Sequence, residues 1–600
     1  MGKRAAFGLL SLSLAGLGLY AYRRSIIARL LGLRPPQYPT GVERNIRVPM
    51  PDGVGLMADH YYPRAAGRLP AILVRSYYGR GPDVSGLFGW LMSFLGVRFA
   101  ERGYHVVVQT TRGRFDSEGE TEPFVDAAPD GHATLDWIAR QPWCDGTVGM
   151  WGLSYLGYVQ WAVATDPQRS PQLKAIVPQM IGSRVPHIVY PNGAFALDTF
   201  LRWVFAVDVL DNLKKRPNAE SLRRISPQGM ARYLAPAFRH VPMGESDAVA
   251  VGRPLDYFRR WLAHLSPDDP YWQQLDLHPR LPQVTAATHL IGGWYDIGLR
   301  ELIDDYAALK AAGRSPYLTI GPWIHGEQPS IVAALREGIA WFDAHLKGDR
   351  RGLRKKPVRI CVMGAGRDAW REMDDWPPPA RETRYFLRSD GRLKTSDPKG
   401  ALRRVSKTSE VSPPDCYRYD PADPTPSVGG PLLFPPSGPM DNRALEARAD
   451  VLTYTTPALN RDVEVIGPVR LELFVRSSLA HTDFFGRLCD VHPDGRSINI
   501  CDGLFRIEPE GGAVGRPAPA RQPDGSLRID VDMWATAHRF RRGHRIRLQV
   551  SSGAHPRWSR NLGTGEPLVA ATSWQGAEQT IYHDAAHPSH VILPVIPRGR

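Results

Sequence analysis

An apolar run that ends in glycine, followed at once by a serine and then by helix-like sequence, constrains the fold of this chain more than any other feature. The segment is VGMWGLSYLGY, from Val148 to Tyr158, and the serine is Ser154. A strand that turns sharply into a helix exposes the residue at the turn, and hydrolases present a nucleophilic serine in this way. The segment therefore predicts an α/β fold with Ser154 at the edge of its sheet.

The glycine spacing around Ser154 differs from the usual G-x-S-x-G pattern. Gly152 stands two residues before the serine, but Gly157 stands three residues after it. The chain contains 57 glycines, so a G-x-S pair can also arise by chance in an ordinary turn. A catalytic interpretation therefore requires a histidine base, a carboxylate that orients it and donors for an oxyanion.

Short apolar runs bounded by proline, glycine or charge alternate with helical patterns in the first part of the chain. Buried parallel strands have this appearance, and their alternation with helices indicates a doubly wound α/β sheet. We predict the first part of an α/β core over residues 40–183. Its expected strands are Asn45–Pro49, Ala71–Val74, His105–Gln109 and Lys174–Val177, with a helix at Asp130–Gln141.

The strand signal fades over residues 184–277, where aromatic, helix-compatible sequence dominates. The α/β pattern resumes over residues 278–350, with strands at Thr288–Gly292 and Tyr317–Ile320 around a helix at Leu299–Ala312. A helical block inserted into such a pattern is typical of a cap over a binding site, although ordinary sheet-covering helices give a similar pattern. We interpret residues 184–277 as a helical cap and residues 278–350 as the second part of the core.

Residues 351–600 have a different pattern. Apolar residues alternate with polar ones at Val469–Val475 and Ile546–Val550, and turns such as Asp390-Gly391 and Asp494-Gly495 separate such segments. Short alternating strands with turn punctuation indicate an all-β sandwich or jelly roll. The stretch Asp420–Pro439 is rich in proline and glycine and is predicted to be a long loop.

An aspartate and a histidine follow two later predicted strands in the order that a serine hydrolase of this fold requires. Asp296 ends the segment HLIGGWYD and His325 ends the segment YLTIGPWIH. In an α/β hydrolase the acid and then the histidine follow the serine, each at the carboxyl end of a strand. Taken alone, Asp296 is also compatible with a helix cap and His325 with an ordinary packed residue. The order and placement favour a Ser154–His325–Asp296 catalytic set.

Several long motifs in the right order resemble the CocE/NonD family, the cocaine-esterase and X-Pro dipeptidyl-peptidase group of α/β hydrolases. The resemblance runs from about Arg44 to the C-terminus. Its motifs are VPMPDGVGLMADHYYP, LVRSYY, TRGRFDSEGE, WCDGTVGMWGLSYLGY, GGWYD, GPWIH and DFFGRLCDVHPDGRS. The elbow of that family reads G-x-S-Y-x-G, which the spacing around Ser154 matches.

The resemblance implies a role for each matching residue. Ser154 would be the nucleophile, Asp296 the orienting acid and His325 the base. The hydroxyl of Tyr78 and the backbone N–H of Tyr155 would form the oxyanion hole, with the adjacent Tyr77 as an alternative to Tyr78.

The resemblance also implies an α/β-hydrolase core, an inserted helical cap and a C-terminal jelly roll. A substrate pocket between them would be lined by Phe195, Trp203 and the loop near Gly429. No metal or cofactor is expected.

The expected reaction is cleavage of an ester or amide bond of a small acyl substrate through an acyl-enzyme. Enzymes that select a free amino group need carboxylates aimed at it, because an unpaired ammonium in a dry site is costly. The expected cap segment Val185–Phe195 holds His187 and Asn192 but no carboxylate, and Asp198 follows shortly after. We therefore favour an esterase over an X-Pro dipeptidyl-peptidase or an α-amino-acid ester hydrolase or acylase. A more remote alternative is a non-catalytic, membrane-tethered binding protein.

Composition limits the partners of this chain. The formal charge of +14 is dispersed rather than gathered in a stripe, so we do not expect nucleic-acid binding. Five cysteines form neither a C-x-x-C pair nor a Cys/His ligand spacing, so we expect no metal site and no disulfide framework. The oligomeric state stays open.

The N-terminal residues 1–24 carry a separate signal. Ala5–Tyr22 contains no charged residue and is just long enough to span a bilayer as a helix. Its end lacks a clean small-x-small cleavage site, so we expect an uncleaved membrane anchor, with cleavage and a secreted or periplasmic protein as the alternative. Basic residues flank this segment on both sides, with slightly more after it than before it. This difference weakly favours a cytoplasmic location for the rest of the chain.

Overall fold

The computed structural model describes residues 22–64, 67–215, 223–224, 226–265, 269–388, 412–508 and 519–597. The predicted anchor Ala5–Tyr22 lies, apart from Tyr22, outside these residues. No helix within the described ranges combines the length and the apolar character needed to cross a membrane.

A ten-stranded sheet forms the centre of the first part of the chain. Its spatial order is β1-β2-β4-β3-β5-β6-β7-β8-β9-β10. The strands from β3 to β9 run parallel, whereas β1, β2 and β10 are antiparallel to their neighbours. The bounds are β1 (Thr40–Pro49), β2 (Gly55–Pro63), β3 (Leu69–Ser76), β4 (His105–Thr110), β5 (Cys144–Leu153), β6 (Leu173–Gln179), β7 (Ala287–Tyr295), β8 (Tyr317–Ile324), β9 (Val358–Cys361) and β10 (Trp370–Met373).

Helices cover this sheet, and a group of them is inserted between β6 and β7. In chain order, the sheet is flanked by α1 (Pro82–Ala100), α2 (Ala127–Ala139) and α3 (Tyr155–Ala164). The inserted group is α4 (Val185–Val189), α5 (Leu197–Lys215), α6 (Pro227–Arg239), α7 (Ser246–Val251), α8 (Asp256–Ala263) and α9 (Pro270–Gln273). After the insertion, two further helices flank the sheet, α10 (Leu299–Ala311) and α11 (Gln328–Leu346). This arrangement confirms the α/β core with inserted helices.

Two antiparallel sheets form the C-terminal part of the chain. The larger contains β11 (Arg381–Phe386), β12 (Asp415–Tyr419), β14 (Val463–Ser477), β17 (Ala520–Arg521), β18 (Leu527–Phe540), β20 (Ala577–Tyr582) and β21 (His590–Val595). The smaller contains β13 (Leu452–Thr455), β15 (Thr482–Val491), β16 (Ser497–Ile507) and β19 (Arg545–Ser551), and the short helix α12 (Arg443–Glu446) precedes it.

The alternation of apolar residues in this part reflects burial between the two sheets. Val469, Leu471 and Leu473 of β14 face the same apolar core as Leu488 of β15 and Leu548 of β19. All five side chains are fully buried. Because successive strand residues point to opposite faces, a sheet with one buried face repeats apolar residues every second position. The period-2 pattern therefore predicted the inward face correctly.

The ten-stranded sheet continues beyond residue 350, where the sequence pattern placed the start of the β domain. β9 pairs in parallel with β8, and β10 pairs with β9. By sheet membership, the β domain begins at β11. Four-residue strands at a sheet edge carry too few residues for a sequence pattern to show whether they extend one sheet or begin another.

Candidate active site

Ser154 occupies the turn between β5 and α3. Its backbone has φ +59° and ψ −122°, a conformation that residues other than glycine rarely adopt. The N–H of Ser154 donates to the carbonyl of Gln179 at 2.8 Å, and the N–H of Gly157 donates to the carbonyl of Ser154 at 2.7 Å. These bonds stabilise a strained turn of the kind that proteins keep at functional sites, at a cost of about 1–3 kcal/mol.

Close packing explains the two glycines that flank the serine. A Cβ added to Gly152 would lie 2.4 Å from the Cβ of Leu156. A Cβ added to Gly157 would lie 2.4 Å from the Cγ2 of Ile181, in the segment after β6. Neither position has room for a side chain, so the G-x-S-x-x-G spacing is a requirement of this elbow rather than a chance match.

Asp296 and His325 directly follow β7 and β8 and lie in hydrogen-bond contact. The Nδ1–H of His325 donates to Oδ1 of Asp296 at 2.6 Å, and the N–H of Gly298 donates to Oδ2 of Asp296 at 3.0 Å. Asp296 is fully buried. A buried carboxylate with both oxygens engaged fixes the tautomer and orientation of the imidazole, so that Nε2 of His325 is the nitrogen able to accept a proton.

The carboxyl ends of three parallel strands bring these residues to one edge of the sheet. Ser154 follows β5, and the two other residues follow β7 and β8. Gly326, next to His325, lies against Leu153, next to Ser154, since a Cβ on Gly326 would be 3.5 Å from the Cδ2 of Leu153. The structure thus brings the predicted serine, acid and histidine together.

Tyr78 lies beside the serine. Its side chain lies close to that of Ser154, and its hydroxyl accepts a hydrogen bond from the indole N–H of Trp203 at 2.8 Å. Burial raises the pKa of Tyr78 to about 12, so the phenol stays protonated and can donate at physiological pH. The hydroxyl of the neighbouring Tyr77 instead accepts from Thr121 at 3.4 Å. Of the two tyrosines, Tyr78 is therefore the one positioned beside Ser154.

Tyr155 is the first residue of α3, so its backbone N–H has no acceptor within the helix. The partial positive charge of a helix N-terminus lies at this group and favours a developing oxyanion. The side-chain oxygen of Tyr155 is occupied separately, since it accepts from the N–H of Phe124 at 3.0 Å.

The two predicted pocket aromatics have different positions. Trp203 of α5 is half-buried and contacts Tyr78. Phe195 is fully buried, and its ring packs against Tyr190, Phe200 and Phe258. The prediction that Phe195 lines an accessible pocket is therefore not supported, because its ring belongs to the interior of the helical insertion. A short aromatic run in sequence does not show which rings face a pocket and which form the core.

The predicted loop near Gly429 approaches the site from the β domain. Gly430 and Gly438 exchange backbone hydrogen bonds at 2.8 and 2.9 Å. A Cβ on Gly438 would lie 3.0 Å from the Cγ2 of Ile324, the residue before His325. A loop from the second part of the chain thus contacts the strand end that carries the histidine.

Comparison with known proteins agrees with this geometry. Residues 52–327 match the X-Pro dipeptidyl-peptidase (S15 family), and residues 352–592 match the X-Pro dipeptidyl-peptidase C-terminal non-catalytic domain. The chain is 36% identical over 584 residues to the cocaine esterase of a Rhodococcus species, which covers 93% of this chain and 99% of that protein. The chain belongs to the CocE/NonD family. This CocE/NonD protein is a serine hydrolase that cleaves ester or amide bonds.

Two solved structures share the fold of this CocE/NonD hydrolase at low identity. An aminopeptidase from a marine sediment Thaumarchaeota archaeon superimposes with a TM-score of 0.77 at 24% identity, covering 94% of this chain and 97% of its own. An α-amino acid ester hydrolase gives a TM-score of 0.73 at 22% identity, covering 93% and 97%. Both comparisons support the α/β core with its C-terminal β domain. Because the chain is a serine hydrolase of this family, the remote alternative of a non-catalytic binding protein is not supported.

The hydrogen bond between Trp203 and Tyr78 could not be found from the sequence of this CocE/NonD hydrolase. The residues are separated by 125 positions, and the notable signal at Trp203 was its aromatic character. By contrast, the N–H of Gly298 donates to Asp296 two residues away, a local contact in keeping with the helix-cap alternative that the sequence offered for Asp296.

Proposed function

We propose that Ser154, His325 and Asp296 act as nucleophile, base and orienting acid in a two-step acyl transfer. His325 accepts the hydroxyl proton of Ser154 as the Ser154 Oγ attacks the substrate carbonyl. His325 then donates that proton to the leaving group. A water activated by His325 hydrolyses the acyl-enzyme and regenerates the serine. The observation that carries this proposal is the placement of all three residues at the carboxyl ends of β5, β7 and β8.

The hydroxyl of Tyr78 and the backbone N–H of Tyr155 are the proposed oxyanion donors. Negative charge develops on the carbonyl oxygen as Ser154 attacks, and fixed donors stabilise that charge without reorganising. The contact of Tyr78 with the Ser154 side chain and the free helix end at Tyr155 both support this assignment.

We further propose that the preferred substrate is an ester with a neutral acyl group. The surroundings of Tyr78 are aromatic, with Tyr77, Phe88 and Trp203 in contact with it. A substrate ammonium would need a carboxylate partner in such surroundings.

The nearby acidic residues of the inserted helices support this preference because they are paired. Asp198 accepts a hydrogen bond from Arg202 at 2.5 Å, and Asp211 accepts one from Arg114 at 2.6 Å. Asp198 retains one buried oxygen without a hydrogen-bond partner among the described residues, but its side chain is only 1% exposed. Asp198 is thus the carboxylate to test.

A fluorophosphonate probe tests the nucleophile directly. The probe should label the wild-type protein on Ser154, as located by peptide mapping, and should not label S154A. Labelling at another serine would refute the assignment.

Matched substrates test the acyl preference. We expect kcat/KM for an ester with a neutral acyl group to exceed that of the isosteric α-ammonium ester, and that of an X-Pro p-nitroanilide, at least tenfold. The variant D198N should leave these ratios unchanged. Faster cleavage of the ammonium or X-Pro substrate would overturn the esterase preference without affecting the serine assignment.

Membrane association through Ala5–Tyr22 also stays a proposal, supported by the uncharged length of that segment. An anchored protein should remain in the membrane fraction after alkaline carbonate extraction. Release into the supernatant would contradict an integral anchor.

A further inference from the structure

The inward-facing residues of the β sandwich are apolar along most of its strands, but they become polar at one end. On β15, Phe484 and Leu488 face inward, and the same alternation continues through Asp490 to His492. On β19, Ile546 faces inward, and His544 stands two residues before it. Buried polar groups are costly unless they are paired, so this change from apolar to Asp and His calls for a chemical reason.

Strand register brings the three polar residues together. Asp490 pairs with Ile546 and Val491 with Arg545 in the antiparallel β15–β19 ladder, which places His492 opposite His544 one step further. The rings of His492 and His544 lie with centroids 4.5 Å apart. One ligand-capable atom from each of Asp490, His492 and His544 lies within 4.8 Å of the other two.

A fourth residue orients the carboxylate from the opposite sheet. Nε2 of His538, on β18, lies 3.0 Å from Oδ2 of Asp490, while Nδ1 of His544 lies 2.8 Å from Oδ1 of Asp490. Nδ1 of His538 is buried and has no hydrogen-bond partner among the described residues. Metal-binding carboxylates are commonly held by such outer hydrogen bonds.

The cluster opens into a cleft between the β domain and the ten-stranded sheet. The cleft has a volume of about 540 Å³, and all four polar residues line it together with Tyr295 and Pro322 from the sheet. It therefore has room for an ion and its water.

The arginines near the cleft are already engaged. Arg539 is paired with Glu464 at 2.7 Å, and Nε of Arg541 donates to the carbonyl of Gly364 at 2.8 Å. Arg496 pairs with Asp494, and its Nη2 lies 3.5 Å from Nδ1 of His492. Arg496 is half-exposed, so its side chain can turn away when His492 binds an ion.

We propose that Asp490, His492 and His544 form a binding site for a divalent transition-metal ion of the Zn²⁺ type, with His538 orienting the carboxylate. Two imidazoles and one carboxylate suit Zn²⁺ and Co²⁺ and disfavour Ca²⁺ and Mg²⁺, which prefer oxygen ligands. Ligand atoms around tetrahedral Zn²⁺ stand about 3.4 Å apart for bonds of about 2.0–2.1 Å, so closure from the observed spacing needs only small side-chain movements.

The site differs from those that spacing along a chain reveals. Asp490 lies on β15 and His492 directly follows that strand, whereas His544 directly precedes the neighbouring strand β19, 52 residues later. The expectation of no metal site rested on the spacing of Cys and His along the chain. Such spacing does not reveal ligands that come together only through the pairing of distant strands.

Metal titration of chelator-treated full-length protein, with the chelator removed, tests the proposal. Co²⁺ should bind with one equivalent per chain and produce visible absorption bands, and Zn²⁺ should abolish these bands by displacing it. Zn²⁺ should also raise the thermal midpoint, because a ligand that binds the folded state stabilises it.

H492Q is the deciding variant, because the His492 side chain is 28% exposed and its removal leaves the bonds of Asp490 to His538 and His544 intact. H492Q should weaken Co²⁺ binding at least tenfold and lose the Zn²⁺-dependent rise in thermal midpoint. The matched control is H240Q, because His240 is 30% exposed and lies 3.1 Å from a single carboxylate, that of Glu245. H240Q should bind like the wild type. The proposal would be refuted if the wild type failed to bind one equivalent of Co²⁺, or if H492Q bound Co²⁺ as tightly as the wild type.

Discussion

The indole N–H of Trp203 donates a hydrogen bond to the hydroxyl oxygen of Tyr78 at 2.8 Å. Because the Tyr78 oxygen accepts this bond, the phenolic O–H remains available to donate to another acceptor. The inserted helices therefore position a proposed oxyanion donor as well as covering the site. This relationship links α5, on which Trp203 lies, to the end of β3.

Removal of the phenolic donor should lower turnover. We expect Y78F to reduce kcat about 10²–10³-fold, the usual cost of one oxyanion donor, with an unchanged circular dichroism spectrum. Steady-state kinetics on a neutral ester measures the effect. Y77F is the matched control and should retain most of the activity. A larger loss in Y77F than in Y78F would transfer the role to Tyr77.

Trp203 should act through Tyr78 rather than directly. W203F keeps an aromatic ring but removes the N–H, so we expect a kcat loss of about tenfold, smaller than that of Y78F. In a Y78F background the same substitution should have little further effect, because residues that act through one contact are not additive. Fully additive losses in the double variant would contradict a positioning role.

Asp296 should matter for the histidine tautomer and not for folding. In D296N the amide can still accept from the N–H of Gly298, but it no longer holds His325 with a carboxylate. We expect kcat to fall about 10⁴-fold, as in other enzymes with this arrangement, while the thermal midpoint changes little. A variant with near wild-type kcat would exclude Asp296 as the orienting acid.

Two buried histidines predict sensitivity to acid. His60 and His105 stack on Trp143, and Nε2 of His60 lies 2.9 Å from Nδ1 of His105. Burial lowers the pKa of His60 to about 3, with a further contribution from His105, and burial lowers the pKa of His105 to about 4. Unfolded histidine titrates near pH 6.5, so the unfolded chain binds more protons and stability is lost as the pH falls from about 6.5 towards 4.

The thermal midpoint measured at pH 7 and pH 5 tests this dependence. We expect a fall of several degrees in the wild type and a smaller fall in the double variant H60F/H105F, which keeps the aromatic stack. The half-buried His345 and the buried His555 contribute to the remaining decrease, because burial also lowers their pKa values. An equal fall in both proteins would contradict the assignment.

Local sequence patterns predicted much of the fold because they report burial directly. The run before Ser154 is β5, and the alternation at Val469–Val475 lies within β14 with its apolar residues facing the sandwich core. The order of Ser154, Asp296 and His325 indicated a shared sheet edge, since the carboxyl ends of parallel strands lie together.

These local patterns could not predict which side chains from distant segments of the chain come into contact. The sequence by itself determined the α/β core, the inserted helices, the β domain and the identity of the candidate serine, acid and histidine. Tertiary structure alone decided that Tyr78 rather than Tyr77 lies beside the serine, that Phe195 is interior, and that Asp490, His492 and His544 converge. Periodicity records which face of an element is buried, whereas the partner that a side chain meets depends on how separate elements pack.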